Sequence, residues 1–231
     1  MLSFFLIDIV SLSHNIPLVI SLATIYVILC LIVVYYAFHA TYINPSDPTI
    51  ALEKDCKQKG LIFDSDKYEY HCNICDSHVM QGSKHCGQCN RCTSGFDHHC
   101  RYLNNCIGEQ NYNQFFKLIV WVFWMCLMHN ITNGFVIWHI VADKSELKEQ
   151  HKEFYDKILT AEFLVILICM IVLNFCALAF LVNLTKFHIE LKYKGLTTYE
   201  FLKMKENNTR ESRVVVRKEL REQMINDERE R

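Results

Sequence analysis

The sequence predicts a mostly α-helical, polytopic membrane protein. It should carry about three transmembrane helices and a small cysteine-rich domain that faces the cytosol and is stapled by two zinc ions. Three observations predict this. Of 231 residues, 51 % are hydrophobic, and they gather in three long runs. Of 12 cysteines, seven crowd between Cys72 and Cys106. The basic residues fall mostly on one side of the runs, where positive charge marks the cytosolic face.

Residues 1–14 are apolar from Leu2 to Leu12 (LSFFLIDIVSL) but short and broken by Asp8. They read as an interfacial or re-entrant segment, with a short fourth span as the alternative. No basic stretch precedes them and no small-residue cleavage pattern follows, so no removable signal is expected. Residues 16–40 form the first span, since Leu18 to Val34 (LVISLATIYVILCLIVV) carries no charge and the run has the length a bilayer requires. Residues 41–70 read as a linker, 71–114 as the cysteine-rich domain, and 115–140 (FFKLIVWVFWMCLMHNITNGFVIWHI) as the second span. A polar loop follows at 141–157, then a third span at 158–183 and a charged tail at 184–231. Lys117 and Glu162 lie near the starts of their spans, where a polar head reaches the interface. Three such runs in one short chain count against the blander reading of buried soluble helices.

The loop before the second span carries Lys54, Lys57, Lys59, Lys67, Lys84, Arg91 and Arg101, and the tail is richer still. The loop at 141–157 balances its lysines with acids. The first two segments therefore lie in the cytosol or its equivalent. That compartment is reducing, so dense cysteines there point to metal or catalysis over disulfides.

The cluster reads Cys72-x-x-Cys75, His85-Cys86-x-x-Cys89-x-x-Cys92, His98-His99-Cys100 and Cys106. A Cys-x-x-Cys turn brings two thiolates to one tetrahedral Zn²⁺, and repeated pairs with interleaved histidines call for two ions. Two tetrahedral ions need about eight ligands, which six cysteines and two histidines supply. One cysteine is left over. Cys100 is the candidate, because Asp97 and a histidine precede it as an activated thiol requires: an imidazole to take the proton, a carboxylate to hold the imidazole. The alternative, with Cys100 a ligand and another cysteine spare, stays open on spacing alone. Cys30, Cys126, Cys169 and Cys176 sit singly in spans and read as packing residues, and Cys56 receives no role.

The run from Cys72 to Cys106, continued by Asn104-Asn105-Cys106-Ile107-Gly108, resembles the cysteine-rich domain of the DHHC family of protein S-acyltransferases. Asn111 and Phe115 fit that family's Asn-x-x-x-Phe. Asp47-Pro48 resembles its Asp-Pro-Gly with Thr49 in place of glycine, and Thr197-Thr198-Tyr199-Glu200 is similar to its Thr-Thr-x-Glu. The resemblance implies one structural zinc on Cys72, Cys75, His85 and Cys92 and a second on Cys86, Cys89, His99 and Cys106. It implies Cys100 as nucleophile, His98 as base and Asp97 as its orienting partner. The implied activity is that of a palmitoyltransferase: acyl-CoA is the co-substrate, the enzyme is transiently S-acylated, and a partner protein with a membrane-proximal cysteine receives the fatty acyl group. Arg101, Lys117 and the tail lysines are candidates to attract the CoA phosphates, or they merely set topology. Membrane lipid is the expected surround, in the endoplasmic reticulum, Golgi or plasma membrane.

The sequence also departs from the family. Arg101-Tyr102 stand where Pro-Trp is usual, and Met80-Gln81-Gly82 replace Pro-x-Arg ahead of the first zinc histidine. These departures support a second reading, a catalytically inactive, zinc-stapled structural subunit of a larger membrane complex, in an organellar inner membrane. A nucleic-acid-binding finger is opposed by the spans and by the net charge of −1. His129, Asn130, Asn133, Glu162 and Asn174 lie within spans, where interhelical hydrogen bonding is their ordinary role. The tail from Glu211 alternates charge at helical spacing and reads as a solvated or partner-docked helix, and no internal repeat is expected.

Overall fold

The computed structural model describes residues 16–142 and 161–230. The apolar segment at 1–14 and most of the polar loop at 141–157 lie outside the described residues. The described chain forms five helices and three hairpins in the order α1 (Ile16–Tyr42), α2 (Pro48–Lys59), β1 (Tyr70–Cys72), β2 (Ser77–Val79), β3 (Lys84–Cys86), β4 (Arg91–Thr93), β5 (His98–Cys100), β6 (Asn105–Ile107), α3 (Tyr112–Ala142), α4 (Ala161–Lys194) and α5 (Thr198–Glu230). A single 3₁₀ turn, Ser65–Lys67, precedes β1.

Two compact units divide these elements. The first takes in α1, α3 and most of α4, and among the described residues these are the three helices long and apolar enough to cross a membrane. In α1 the hydroxyls of Ser21 and Thr24 donate to the carbonyls of Pro17 and Ile20, at 2.8 and 2.7 Å. Such back-bonding satisfies a polar group without a partner helix, which hydrocarbon requires. Tyr26 lies against His129, ring centroids 6.4 Å apart, and the Cys30 thiol approaches the Met125 sulfur at 4.0 Å, so α1 packs along α3. His129, Asn133 and Asn174 are buried. Outward faces stay apolar: Leu31, Val34, Phe38, Val172, Leu173 and Phe180 are exposed, as suits a lipid surround.

The second unit holds residues 43–112 together with the chain from His188 onward. Residues 41–70, expected as a linker, contain α2. Asp47 caps it, accepting the Thr49 N–H at 2.8 Å, with Pro48 at the first helical position, where a missing N–H costs nothing. Gly60, at φ 66°, closes the helix in the left-handed conformation. The second Asp47 oxygen accepts the Met80 N–H at 2.8 Å and the Ser83 hydroxyl, while the Asp47 N–H donates to the Cys92 carbonyl at 3.0 Å. Asp47, 1 % exposed, thus ties α2 to the β2–β3 loop through its carboxylate and to β4 through its N–H. Further along α2, Glu53 accepts the His78 N–H at 2.8 Å and pairs with Lys57 at 2.9 Å. Burial opposes the charge of Glu53, but these donors outweigh it and hold its pKa below the usual carboxylate value.

Each hairpin is antiparallel: Tyr70 pairs with Val79, Lys84 with Thr93 and His98 with Ile107. The hairpins are copies of one unit, which corrects the expectation of no internal repeat. His71-Cys72, His85-Cys86 and His99-Cys100 recur at one fixed interval, and so do the left-handed residues Asp76, Asn90 and Asn104, at φ 48°, 47° and 47°. Asp and Asn are the side chains that tolerate that conformation best. In the hairpins, Val79 and Ile107 are the buried aliphatic side chains, and the remaining interior is Cys, Ser, Thr and Asn. Two such residues contribute about 3–6 kcal/mol by burial, too little to order three hairpins unaided.

Candidate functional site

Alternation along a strand sends successive side chains to opposite faces. In β3 and β5 this turns His85 and His99 one way, and each lies directly across its hairpin from a cysteine: His85 opposite Cys92, His99 opposite Cys106. The turn of the preceding hairpin adds two thiols. The result is two groups able to hold a metal ion, Cys72, Cys75, His85 and Cys92 in one and Cys86, Cys89, His99 and Cys106 in the other. The β3–β4 hairpin serves both, giving its cross-strand pair to the first group and its turn to the second.

The donor distances test whether an ion fits. In the first group the His85 Nδ1 is 3.9, 3.3 and 3.9 Å from the sulfurs of Cys72, Cys75 and Cys92. In the second the His99 Nδ1 is 3.7, 3.3 and 3.8 Å from those of Cys86, Cys89 and Cys106. A tetrahedron around Zn²⁺, with sulfur at about 2.3 Å and nitrogen at about 2.0–2.1 Å, has sulfur–nitrogen edges of about 3.5 Å. Both donor sets match that size. Burial and the neighbouring thiols push the Cys106 thiol up to about 12, so a cation among the donors is what allows all of them to ionise.

Cys100 belongs to neither group. It holds the position in the third hairpin that Cys72 and Cys86 hold in the first two, with Leu103 where a second turn cysteine would stand. The turn geometry is retained. Backbone N–H groups of Ile74 and Cys75 bond the Cys72 sulfur, those of Gln88 and Cys89 bond the Cys86 sulfur, and those of Tyr102 and Leu103 bond the Cys100 sulfur. The same turn that offers a thiolate to an ion in two hairpins offers one without an ion in the third. The unusual Arg101-Tyr102 leaves these donors in place. Tyr102 itself is 96 % exposed.

On the face of β5 opposite His99, His98 and Cys100 stand side by side. The His98 Nδ1 lies 2.7 Å from an Asp97 carboxylate oxygen, and the imidazole hydrogen-bonds the Cys100 thiol. Asp97 is 2 % exposed and is held by two further bonds: its N–H donates to the Ile107 carbonyl at 2.9 Å, and its other oxygen accepts the Thr198 N–H at 2.7 Å. Thr198 opens α5, where Thr197 and Glu200 form a capping box. The Glu200 carboxylate accepts the Thr197 N–H at 2.8 Å, and the Glu200 N–H donates to the Thr197 hydroxyl at 3.2 Å. The Thr-Thr-x-Glu run therefore fixes the helix end that feeds an N–H to Asp97.

Electrostatics follow from these partners. Burial disfavours charge on all three groups. The imidazole and the Thr198 N–H overcome it at Asp97, whose pKa is lowered. Asp97 and Cys100 overcome it at His98, which is raised to about 9. The imidazole and the Tyr102 and Leu103 N–H groups overcome it at Cys100, whose thiol is lowered. The arrangement favours a thiolate beside an imidazolium, the state of a nucleophile ready to attack an electrophilic carbon.

Two supports reach the site from the strand that follows. Asn111, fully buried, accepts the Gly108 N–H and donates to the Cys106 carbonyl, both at 3.0 Å, fixing β6 where it turns into α3. Gly108 runs so close to β4 that an added Cβ would sit 2.5 Å from the Ser94 carbonyl oxygen and from a Thr93 methyl. Sequence reasoning missed three participants: the hydrogen bond of Thr198 to Asp97, and the pair Tyr112 and His188, whose hydroxyl and Nδ1 are 3.2 Å apart beside His98. The fixed interval between hairpins was a signal present in the sequence; a lone histidine late in an apolar helix gave none.

Comparison with known proteins adds a second line of observation. A family model described as DHHC palmitoyltransferase matches residues 65–205. The chain is 29 % identical over 193 residues to palmitoyltransferase ZDHHC11 of Homo sapiens, covering 72 % of this chain and 47 % of that protein. It is 34 % identical over 179 residues to protein S-acyltransferase 18 of Arabidopsis thaliana, covering 73 % and 35 %. To palmitoyltransferase ZDHHC5 of Bos taurus it is 33 % identical over 132 residues, covering 56 % and 14 %. The chain thus spans about half the length, or less, of the curated relatives it matches.

Proposed function

The chain belongs to the DHHC palmitoyltransferase family, and on that premise we propose that it is a protein S-acyltransferase that carries a fatty acyl group on Cys100. The observation that carries the reading is the Cys100 thiol, outside both metal-capable groups and hydrogen-bonded to an imidazole that Asp97 orients.

The chemistry runs in two transfers. The Cys100 thiolate attacks the thioester carbonyl of acyl-CoA, a new carbon–sulfur bond forms, and the bond to the CoA sulfur breaks. The departing thiolate takes the proton that the His98 imidazolium holds. A cysteine thiol of a second protein then gives its proton to the now neutral His98 and attacks the acyl-Cys100 carbonyl, restoring the Cys100 thiolate. Asp97 stays ionised throughout and keeps the His98 Nδ1 protonated, so Nε2 is the nitrogen that exchanges protons. Splitting one acyl transfer into two predicts ping-pong kinetics.

Two zinc ions, one on Cys72, Cys75, His85 and Cys92 and one on Cys86, Cys89, His99 and Cys106, would hold the hairpins in shape with closed shells. Their chemistry is structural, and the second would fix β5 and thereby the spacing of His98 from Cys100. The excess of basic residues supports placing this domain on the cytosolic face of a cellular membrane. A purely structural subunit would have no use for a thiol held at an imidazole, which favours the enzyme.

The test incubates the purified chain with labelled acyl-CoA in detergent or bilayer. The wild type is expected to form a hydroxylamine-sensitive adduct and Cys100→Ser to form none, with metal content equal in both. A wild type that keeps its metal and never acquires label would overturn the reading.

A further inference from the structure

His188 lies in the last turns of α4, in the same compact unit as the hairpins, and is 3 % exposed. Its ring centroid is 6.3 Å from that of His98, the planes 41° apart. Its Nδ1 is 3.2 Å from the Tyr112 hydroxyl, and Tyr112 in turn begins α3 directly after Asn111. An N–H···N bond between two imidazoles would bring their centroids to about 5 Å, so His188 and His98 meet as packed rings rather than as donor and acceptor. The His98 ring is also bonded to the Asp97 carboxylate, through Nδ1, and to the Cys100 thiol.

Torsion of the ring about its own side-chain bonds would move the nitrogen that exchanges protons. A reacting imidazole cannot tolerate much rocking, because misplacement of about 1 Å can cost about 10²-fold in rate. One packing contact on the ring comes from His188. Its own ring is fixed by the Tyr112 hydroxyl, so the first residue of α3 and a late residue of α4 together make a polar pair that bears on His98. A leucine could fill the same space but would leave the Tyr112 hydroxyl without this bond.

We propose that the hydrogen-bonded pair Tyr112 and His188 is a positioning brace that holds the His98 imidazole in line between Asp97 and Cys100. The proposal rests on the acyl-transfer reading above for its role, but the geometry it describes can be tested separately. Two readouts are needed, made on the full chain with metal content recorded for each variant: the rate of acyl-Cys100 formation from acyl-CoA, and the rate at which iodoacetamide alkylates Cys100, followed on the Cys100 peptide by mass spectrometry.

His188→Ala is expected to slow acyl-Cys100 formation about 10- to 100-fold while the KM for acyl-CoA stays within about twofold. It should slow Cys100 alkylation about 10-fold with metal content unchanged. His188→Gln, which can still bond Tyr112, should recover most of both rates, and Tyr112→Phe should fall between. Unchanged alkylation and acylation in His188→Ala would overturn the brace. So would losses that track metal content, or a His188→Gln variant no better than His188→Ala. If the wild type forms no adduct yet alkylation follows the expected order, the brace stands and the acyltransferase reading falls.

Discussion

At the residue scale, the behaviour of the site is set by three groups that burial would neutralise and neighbours keep charged. His98 binds its proton more tightly folded than unfolded, since its pKa rises to about 9 from an ordinary value of about 6.5. Its contribution to stability is therefore complete below about pH 6.5 and is lost as pH climbs through 9. Cys100 runs the other way, its thiol lowered, so its contribution is present on the alkaline side and is lost as pH falls through the lowered value. On the proposed mechanism, adduct formation should accordingly fall on the acid side as the thiolate protonates, and again above about pH 9 as the imidazolium proposed to protonate departing CoA disappears. A pH–rate profile of labelled-adduct formation checks both limbs. Asp97→Asn removes the charge that holds the His98 tautomer and should lower that rate by about 10²- to 10⁴-fold, read in the same assay. Asp97, His98 and Cys100 were visible in the sequence as a pattern. Thr198 was visible only as a motif, because nothing in a linear sequence says that the start of one helix will donate to a carboxylate a hundred positions earlier.

At the element scale, the hairpin is the repeating object, and its cross-strand His–Cys pair and turn thiols explain why the ligand sets interleave. Cysteine pairs alone do not reveal the turns, because the third hairpin breaks the pairing by placing Leu103 where a thiol would stand. Asp76, Asn90 and Asn104 keep the repeat legible even there. Two consequences can be measured. Cys89→Ala should lower the metal content per chain, whereas Cys100→Ala should leave it unchanged, by elemental analysis of the purified variants. Gly108→Ala forces a Cβ against the Ser94 carbonyl and the Thr93 methyl and should destabilise the domain by about 1–3 kcal/mol, seen as earlier metal loss in a thermal or chelator titration. The linker expected at 41–70 contains a helix because Asp47 and Pro48 start one and Gly60 ends it, and all three residues are readable as such. What was not readable is the reach of Asp47 to Met80 and Ser83, a long-range bond that local patterns do not encode.

At the scale of the whole molecule, the three helices among the described residues that are long and apolar enough to cross a bilayer were legible because hydrophobic length is a property of the chain itself. Their ends were less so. The last of them continues to Lys194, past position 183 where the apolar run stops, since a helix can leave hydrocarbon without unwinding. This continuation puts His188 within reach of His98, and periodicity alone gave no hint of it. Metal removal should act on the hairpin domain as a unit. Because β3–β4 feeds both ligand groups, chelator should strip two ions in one cooperative step, and circular dichroism should lose hairpin structure over the same concentrations while the apolar helices persist.

The bond from the Thr198 N–H to Asp97 carries a practical consequence for anyone handling this protein. The backbone between Gly195, which ends α4 at φ 64°, and Thr198 is only a few peptide units long, and it delivers the amide that anchors Asp97. A protease nick or an inserted reporter in that short stretch would disturb the strap and slacken the hold on Asp97 and His98 from a distance. A tag joined beyond Glu230, at the far end of α5, leaves the strap taut.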